Sequence, residues 1–166
     1  MKTFIKYYTV SIGLALSAMA ITPSVQAQDG KIYPGSACVR WNAAQPTPTL
    51  NYSRIWNPSA AAILYVDCIV VKDGTNVLSG WVRVIDQHPN LPVSCQLVST
   101  WSASEGGVFA NLSPVRNSAG ANPTVQTLNF GALAGFPSGH LFYGCQIPPT
   151  SAGARSWITT YQLTED

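Results

Sequence analysis

Short runs of β-branched and aromatic residues, separated by turn-forming residues, recur along the chain from Ser36 onward. The strongest run covers residues 62–71, where apolar side chains alternate through Leu64, Val66, Cys68 and Val70. Alternation with a period of two is typical of β-strands, and no window shows the 3.6-residue period of an amphipathic helix. The pattern therefore predicts an all-β chain.

Seven runs carry the pattern strongly enough to predict strands. They cover residues 62–71, 77–86, 93–100, 107–112, 124–130, 140–147 and 156–163. Turn residues separate the runs without intervening helices, as in β-sandwiches with Greek-key or jelly-roll-like connections. We predict one antiparallel β-sandwich of that kind, formed by residues 28–166.

The turn at 72–76 contains Asp73 and Gly74, a pair that readily adopts hairpin geometry. This predicts that the strands 62–71 and 77–86 pair with each other. On the face of the first strand opposite Cys68, we expect Tyr65, Asp67 and Ile69 to be mostly covered.

The first 27 residues have the layout of a secretory signal peptide. Lys2 and Lys6 precede an apolar run over residues 9–21, and small residues surround Ala27. A membrane anchor is the alternative, but the run is shorter than the roughly 20 residues that span a bilayer. We predict cleavage after Ala27, in preference to Ala20, and a secreted or periplasmic protein that keeps no membrane span.

The four cysteines, Cys38, Cys68, Cys95 and Cys145, form an even set without a C-x-x-C spacing. In an oxidising compartment such a set predicts disulfides, for which three pairings exist. We favour Cys38–Cys68 with Cys95–Cys145, because it closes two separate loops and places inward-facing cysteines of different strands together.

Charge disfavours nucleic acid as a partner. Lys and Arg total 9 and Asp and Glu total 7, so removal of Lys2 and Lys6 with the signal leaves a net charge near zero. Proteins that bind phosphate backbones need a surplus of basic side chains. The same balance disfavours a polybasic membrane-surface protein.

Few residues suggest catalysis. Asp86 and His88 form the densest polar group, but no G-x-S-x-G elbow accompanies them. His88 and His140 are the only histidines, which excludes a three-histidine zinc site, and neither a calcium loop nor a pair of acids facing one cleft is evident. We therefore predict no catalytic, metal-binding or cofactor-binding residue, with a hydrolase at Asp86 and His88 as an alternative.

Three tryptophans beside polar loops, Trp41, Trp56 and Trp101, are the candidate ligand-binding residues. Exposed indoles stack on sugar rings while nearby amides and hydroxyls bind the sugar hydroxyls. The alternative is that these indoles cover the ends of the sandwich core. Trp81 and Trp157 lie within predicted strands, where we expect them to pack in the core or between the sheets.

Several short motifs resemble those of small secreted β-rich proteins of Gram-negative bacteria to which no activity is assigned. The matching segments are 33–38, 67–70, 81–86, 93–95, 125–130, 145–149 and 158–161. The resemblance spans nearly all of the chain after the signal. It implies export, a four-cysteine framework and a β-rich fold, and it implies no activity.

Together these patterns predict a secreted or periplasmic, non-enzymatic β-domain that binds a glycan, a surface polymer or a protein. A structural role in the cell envelope and the hydrolase at Asp86 and His88 are the alternatives.

Overall fold

The computed structural model describes residues 30–166, which form two antiparallel β-sheets packed together. The strands of this region are β1 (Gly30–Pro34), β2 (Val39–Arg40), β3 (Thr49–Asn51), β4 (Arg54–Trp56), β5 (Leu64–Val70), β6 (Val77–Asp86), β7 (Ser94–Ser102), β8 (Val108–Leu112), β9 (Arg116–Asn117), β10 (Asn122–Phe130), β11 (His140–Ile147) and β12 (Trp157–Glu165). The predicted antiparallel β-sandwich is confirmed. The predicted signal peptide, residues 1–27, lies outside the described residues.

Strands that are distant in sequence lie side by side in both sheets. Sheet I has the order β10–β6–β12–β4–β3, and β1 also pairs with β12. Sheet II has the order β2–β5–β11–β7–β8, and β9 also pairs with β7. From β4 onward, the chain therefore passes from one sheet to the other between β4 and β5, between β5 and β6, between β6 and β7, and at each connection from β9 to β12. Within residues 30–166, no helix is long and apolar enough to cross a membrane.

The strands predicted from alternation coincide with the long strands of both sheets to within two residues at either end. They are β5, β6, β7, β8, β10, β11 and β12. In β5 the side chains of Leu64, Val66, Cys68 and Val70 are buried, as the period of two requires. The opposite face of β5 is more open than predicted, because Ile69 is 54% exposed.

The predicted hairpin between β5 and β6 is wrong, because the two strands belong to different sheets. Residues 71–76 cross between the sheets and are held by the end of the chain. The Asp166 carboxylate accepts hydrogen bonds from the backbone N–H groups of Thr75 and Asn76, at 3.1 and 2.9 Å. Glu165 Oε2 accepts another from the Asp73 N–H at 3.0 Å.

The prediction that Trp81 and Trp157 pack in the core is also wrong. Both indoles are half-buried on the outer face of sheet I, since their neighbours Val82 and Ile158 fill the inner face. Arg83 stacks on Trp81, with the guanidinium carbon 4.5 Å from the ring centroid. Tryptophan size and aromaticity suit a core, but the register of each strand places these two outside.

Two buried tyrosines join the sheets. The Tyr143 hydroxyl of sheet II donates a hydrogen bond to the Gln162 carbonyl of sheet I at 2.7 Å. In the opposite direction, the Tyr161 hydroxyl of sheet I donates to the Ile69 carbonyl of sheet II at 2.9 Å. Burial raises the pKa of Tyr143 well above its ordinary value and that of Tyr161 to about 12, so both phenols stay protonated donors at neutral pH.

Both predicted disulfides are confirmed, Cys38–Cys68 and Cys95–Cys145, and both lie within sheet II. Cys95 and Cys145 are direct partners in the β7–β11 ladder, with Cα atoms 4.1 Å apart. Cys38 directly precedes β2 and reaches β5 through Cys68, with Cα atoms 4.0 Å apart. Neighbouring strands of sheet II are therefore linked covalently in pairs. Such bridges fit a domain that works outside the reducing cytosol.

Candidate ligand-binding site

Trp41 stands at the outer face of sheet II, directly after β2. Its backbone N–H donates to the Tyr65 carbonyl of β5 at 3.0 Å, which extends the β2–β5 pairing by one residue. The indole remains 65% exposed, and its ring centroid is 6.3 Å from that of Tyr65. Two aromatic side chains thus stand together on a face that is open to solvent.

A hollow of about 250 Å³ lies beside this aromatic pair, lined by Trp41, Tyr65, Asp67 and Gly144. Tyr65 and Asp67 share the outer face because they are two residues apart in β5. Gly144 of β11 is the register partner of Asp67 and carries no side chain, which lowers the floor of the sheet there. A Cβ added at Gly144 would meet Phe142, Val98 and Asp67 at 3.8–4.0 Å, ordinary contact distances, so a methyl group fits there without displacing a neighbour.

A second hollow, of about 280 Å³, continues along the same face and shares Asp67 with the first. Its other lining residues come from β2, β5, β7 and β11, and they are Val39, Ile69, Thr100, His140, Leu141 and Phe142. We call the two hollows together the trough. Its walls are mainly apolar and aromatic, and the carboxylate of Asp67 lies where the hollows meet.

Asp67 is the electrostatic centre of the trough. Among residues 30–166, no donor group or basic side chain forms a hydrogen bond or ion pair with its half-buried carboxylate. Partial burial removes water from the charged form, which raises the pKa of Asp67 above its ordinary value of 3.8. A carboxylate in this state gains more from a ligand donor than a fully hydrated one.

Neighbouring side chains cover the ring of Trp56. Arg155 lies over its ring, with the guanidinium carbon 4.3 Å from the centroid, and Trp157 packs against it at 5.5 Å. Arg54 in turn lies 6.0 Å from the centroid of Trp157. These stacked arginines and indoles cover the outer face of sheet I near β4, and they leave less of Trp56 for a ligand than of Trp41.

Trp101 lines a different hollow, of about 410 Å³, with Phe109, Phe136, Pro137 and Ser138. Its ring stacks near those of Phe109 and Phe136, at centroid distances of 5.5 and 6.4 Å. The lining is almost wholly apolar, and Ser138 is its one polar side chain. This hollow can hold apolar groups, but it offers few partners for sugar hydroxyls.

The three predicted tryptophans therefore do not form one site. Trp41 lies near the Tyr65 end of sheet II, whereas Trp101 lies at the opposite end, beyond Thr100 and its partner His140. Trp56 belongs to sheet I.

Asp86 and His88, the alternative catalytic pair, are parts of a buried loop anchor. Asp86 Oδ1 accepts hydrogen bonds from the Ser156 hydroxyl at 2.7 Å and the His88 N–H at 3.0 Å. Oδ2 accepts from the Ser118 hydroxyl and the Val93 N–H. The carboxylate thereby fixes the loop between β6 and β7 and ties it to two other segments.

The His88 imidazole is 8% exposed and faces the same loop. Its Nδ1 accepts hydrogen bonds from the N–H groups of Asn90 and Leu91, at 3.1 and 2.8 Å. Nδ1 therefore carries no hydrogen, whereas the histidine of a Ser-His-Asp site donates from that atom to its aspartate. Within the described part of the chain, no group of three or more His, Cys, Asp or Glu residues could hold a metal ion.

The fold and the trough define a β-sandwich domain, braced by two disulfides within one sheet, that presents an aromatic depression on that sheet. No protein-family model and no curated protein matches the chain. The structure of a family two carbohydrate esterase from Cellvibrio japonicus is similar, with a TM-score of 0.44 and 8% identity over 84% of this chain. The match covers 34% of the esterase chain, so this chain spans about a third of its length.

Proposed function

We propose that this protein is an exported, non-enzymatic β-domain that binds a glycan in the trough. The observation that carries the proposal is the meeting of Trp41, Tyr65 and Asp67 above the bare floor at Gly144. An indole and a phenol supply flat apolar surface for the apolar face of a sugar ring. The unpartnered Asp67 carboxylate supplies an acceptor for sugar hydroxyls.

Export completes the proposal. The signal-peptide pattern in residues 1–27 directs the chain out of the cytoplasm, and the two disulfides form in an oxidising compartment. A glycan of the cell envelope or the surroundings is within reach there.

The test is binding of Trp41→Ala to a panel of immobilised polysaccharides. Removal of an aromatic anchor typically costs more than about 1 kcal/mol, so we expect affinity to fall roughly tenfold. Trp81→Ala is the matched control, because it removes a half-buried indole from the outer face of the other sheet. Gly144→Ala adds a second arm, since its methyl group would meet neighbours only at 3.8 Å or more while raising the floor.

Loss of binding in Trp41→Ala and Gly144→Ala, with wild-type affinity in Trp81→Ala, supports the proposal. Wild-type affinity in Trp41→Ala, or equal losses in all three variants, contradicts it. Thermal denaturation of each variant separates lost binding from lost folding.

A further inference from the structure

One acidic residue and no Lys or Arg line the trough that the structure describes. Asp67 is the acidic residue of this lining and belongs to both hollows. The other titratable side chains are the phenol of Tyr65 in the first hollow and the imidazole of His140 in the second. No Lys or Arg belongs to the lining that the structure describes. Arg40, which lies between Val39 and Trp41, instead donates from Nη1 to Thr47 Oγ1 at 3.3 Å.

The position of Asp67 makes its charge effective. It is shared by both hollows, so a ligand that fills the trough passes over it. Tyr65 and Ile69 flank it along β5 and are about 13 Å apart at roughly 3.3 Å per residue, a length that suits an extended chain better than a single ring. Because the carboxylate is half-buried among apolar side chains, water screens it less than it screens a surface charge.

We infer that the trough selects uncharged glycan chains over anionic ones, and that Asp67 is the residue that makes this selection. The inference rests on the proposed function and adds the class of glycan. The hydroxyl groups of an uncharged sugar donate hydrogen bonds to the carboxylate. These bonds are stronger than those to a neutral acceptor, because the carboxylate is charged. A uronate brings a second negative charge close to Asp67, and the lining that the structure describes holds no Lys or Arg to offset it.

The repulsion is large enough to measure. At the effective dielectric of partly buried sites, like charges a few ångströms apart weaken binding by roughly tenfold or more. Asp67→Asn keeps the shape of the side chain and an amide oxygen as acceptor while it removes the charge. This variant therefore isolates charge from packing.

The experiment compares matched pairs of polymers: glucan with polyglucuronate, mannan with polymannuronate, and galactan with polygalacturonate. Dissociation constants are measured at low salt for the wild type, Asp67→Asn and Glu105→Gln. Glu105 is exposed and outside the trough lining, so its variant controls for net charge alone. We expect the wild type to favour the uncharged member of the pair that it binds by roughly tenfold.

In Asp67→Asn we expect this preference to shrink at least roughly fivefold, chiefly through gained affinity for the uronate. Glu105→Gln is expected to keep the wild-type ratio. An unchanged ratio in Asp67→Asn, or a wild type that prefers a uronate, overturns the charge selection but leaves glycan binding intact. Absence of wild-type binding to both members of every pair overturns the proposed function and the selection together.

Discussion

Asp67 reduces the stability of the fold at neutral pH, because its carboxylate is half-buried and lacks a protein partner among residues 30–166. Its pKa in the folded chain lies above the ordinary value of 3.8. The folded chain therefore holds this proton more tightly than the unfolded chain, and stability falls as pH rises through the interval between the two pKa values. Residues that cost stability in this way are common where a site must stay ready for a ligand.

Asp67→Asn is therefore expected to raise Tm at pH 7 by roughly 1–3 °C. At pH 3 the carboxyl group of Asp67 in the folded wild type is uncharged, like the amide group of the variant. The gain in Tm should therefore disappear. Thermal denaturation followed by circular dichroism at the two pH values checks this. A gain of equal size at both values would show that the charge of Asp67 is not its cause, and a lower Tm at pH 7 would show that Asp67 has a stabilising partner.

Among the strands, β2 depends most on a covalent bond for its place in sheet II. It has two residues, Val39 and Arg40, and pairs with β5 only. The Cys38–Cys68 bridge joins the residue before this strand to β5, and Trp41 is the residue that follows the strand. By contrast, β7 and β11 are paired over seven residues besides being joined by Cys95–Cys145. The Cys38–Cys68 bridge therefore positions the trough. The Cys95–Cys145 bridge instead adds stability to the β7–β11 pairing, which backbone hydrogen bonds already form.

Serine substitutions of each pair separate these roles. Either double variant is expected to lose about 2–5 kcal/mol of unfolding free energy. Cys38→Ser with Cys68→Ser should also lose most glycan affinity, because Trp41 is no longer held against Tyr65. Cys95→Ser with Cys145→Ser should keep it at a temperature where both variants are folded. Binding isotherms under those conditions check the prediction, and equal affinities in the two variants would refute it.

The sequence predicted strands well where apolar residues recur at every second position. It predicted β5 to β8 and β10 to β12 because each lies in a run of β-branched and aromatic residues bounded by turn residues. It missed β1, β3, β4 and β9, which have two to five residues and are defined by their partners rather than by their own pattern. It also assigned β5 and β6 to one hairpin, because local turn chemistry does not reveal which sheet a strand joins.

The site was predictable only in part for a similar reason. Trp41 could be proposed from an indole beside polar residues. The roles of Asp67 and Gly144 could not, because their pairing depends on the register between β5 and β11, which are some 70 residues apart in the chain. The disulfides were predictable because cysteine number, compartment and strand phase restrict the pairings to a few.

At the scale of the whole molecule, the contact between the sheets depends on close packing around Tyr143. Gly80 of β6 faces this residue, and a Cβ added there would overlap the Tyr143 hydroxyl and lie 2.9 Å from the Gln162 carbonyl. The hydroxyl donates its hydrogen bond to that same carbonyl. The absence of a side chain at Gly80 thus allows the tyrosine to cross between the sheets.

Gly80→Ala should lower the unfolding free energy by about 1–3 kcal/mol, the usual cost of overpacking. Alanine suits a strand better than glycine, so propensity alone predicts a small gain instead. Urea denaturation distinguishes the two effects, with Gly144→Ala as the control, since a methyl group there meets neighbours at ordinary contact distances. Unchanged or increased stability in Gly80→Ala would show that the sheets can shift apart without cost.

We propose that this protein meets its ligand on the outer face of sheet II, over Asp67. The most direct test is a two-dimensional NMR titration of the backbone and indole N–H groups with the polysaccharide fragment that binds best. We expect the shift changes to concentrate at Trp41, Tyr65, Asp67, Phe142 and Gly144. Changes concentrated instead around Trp101 and Phe136, or around Asp86 and His88, would contradict it.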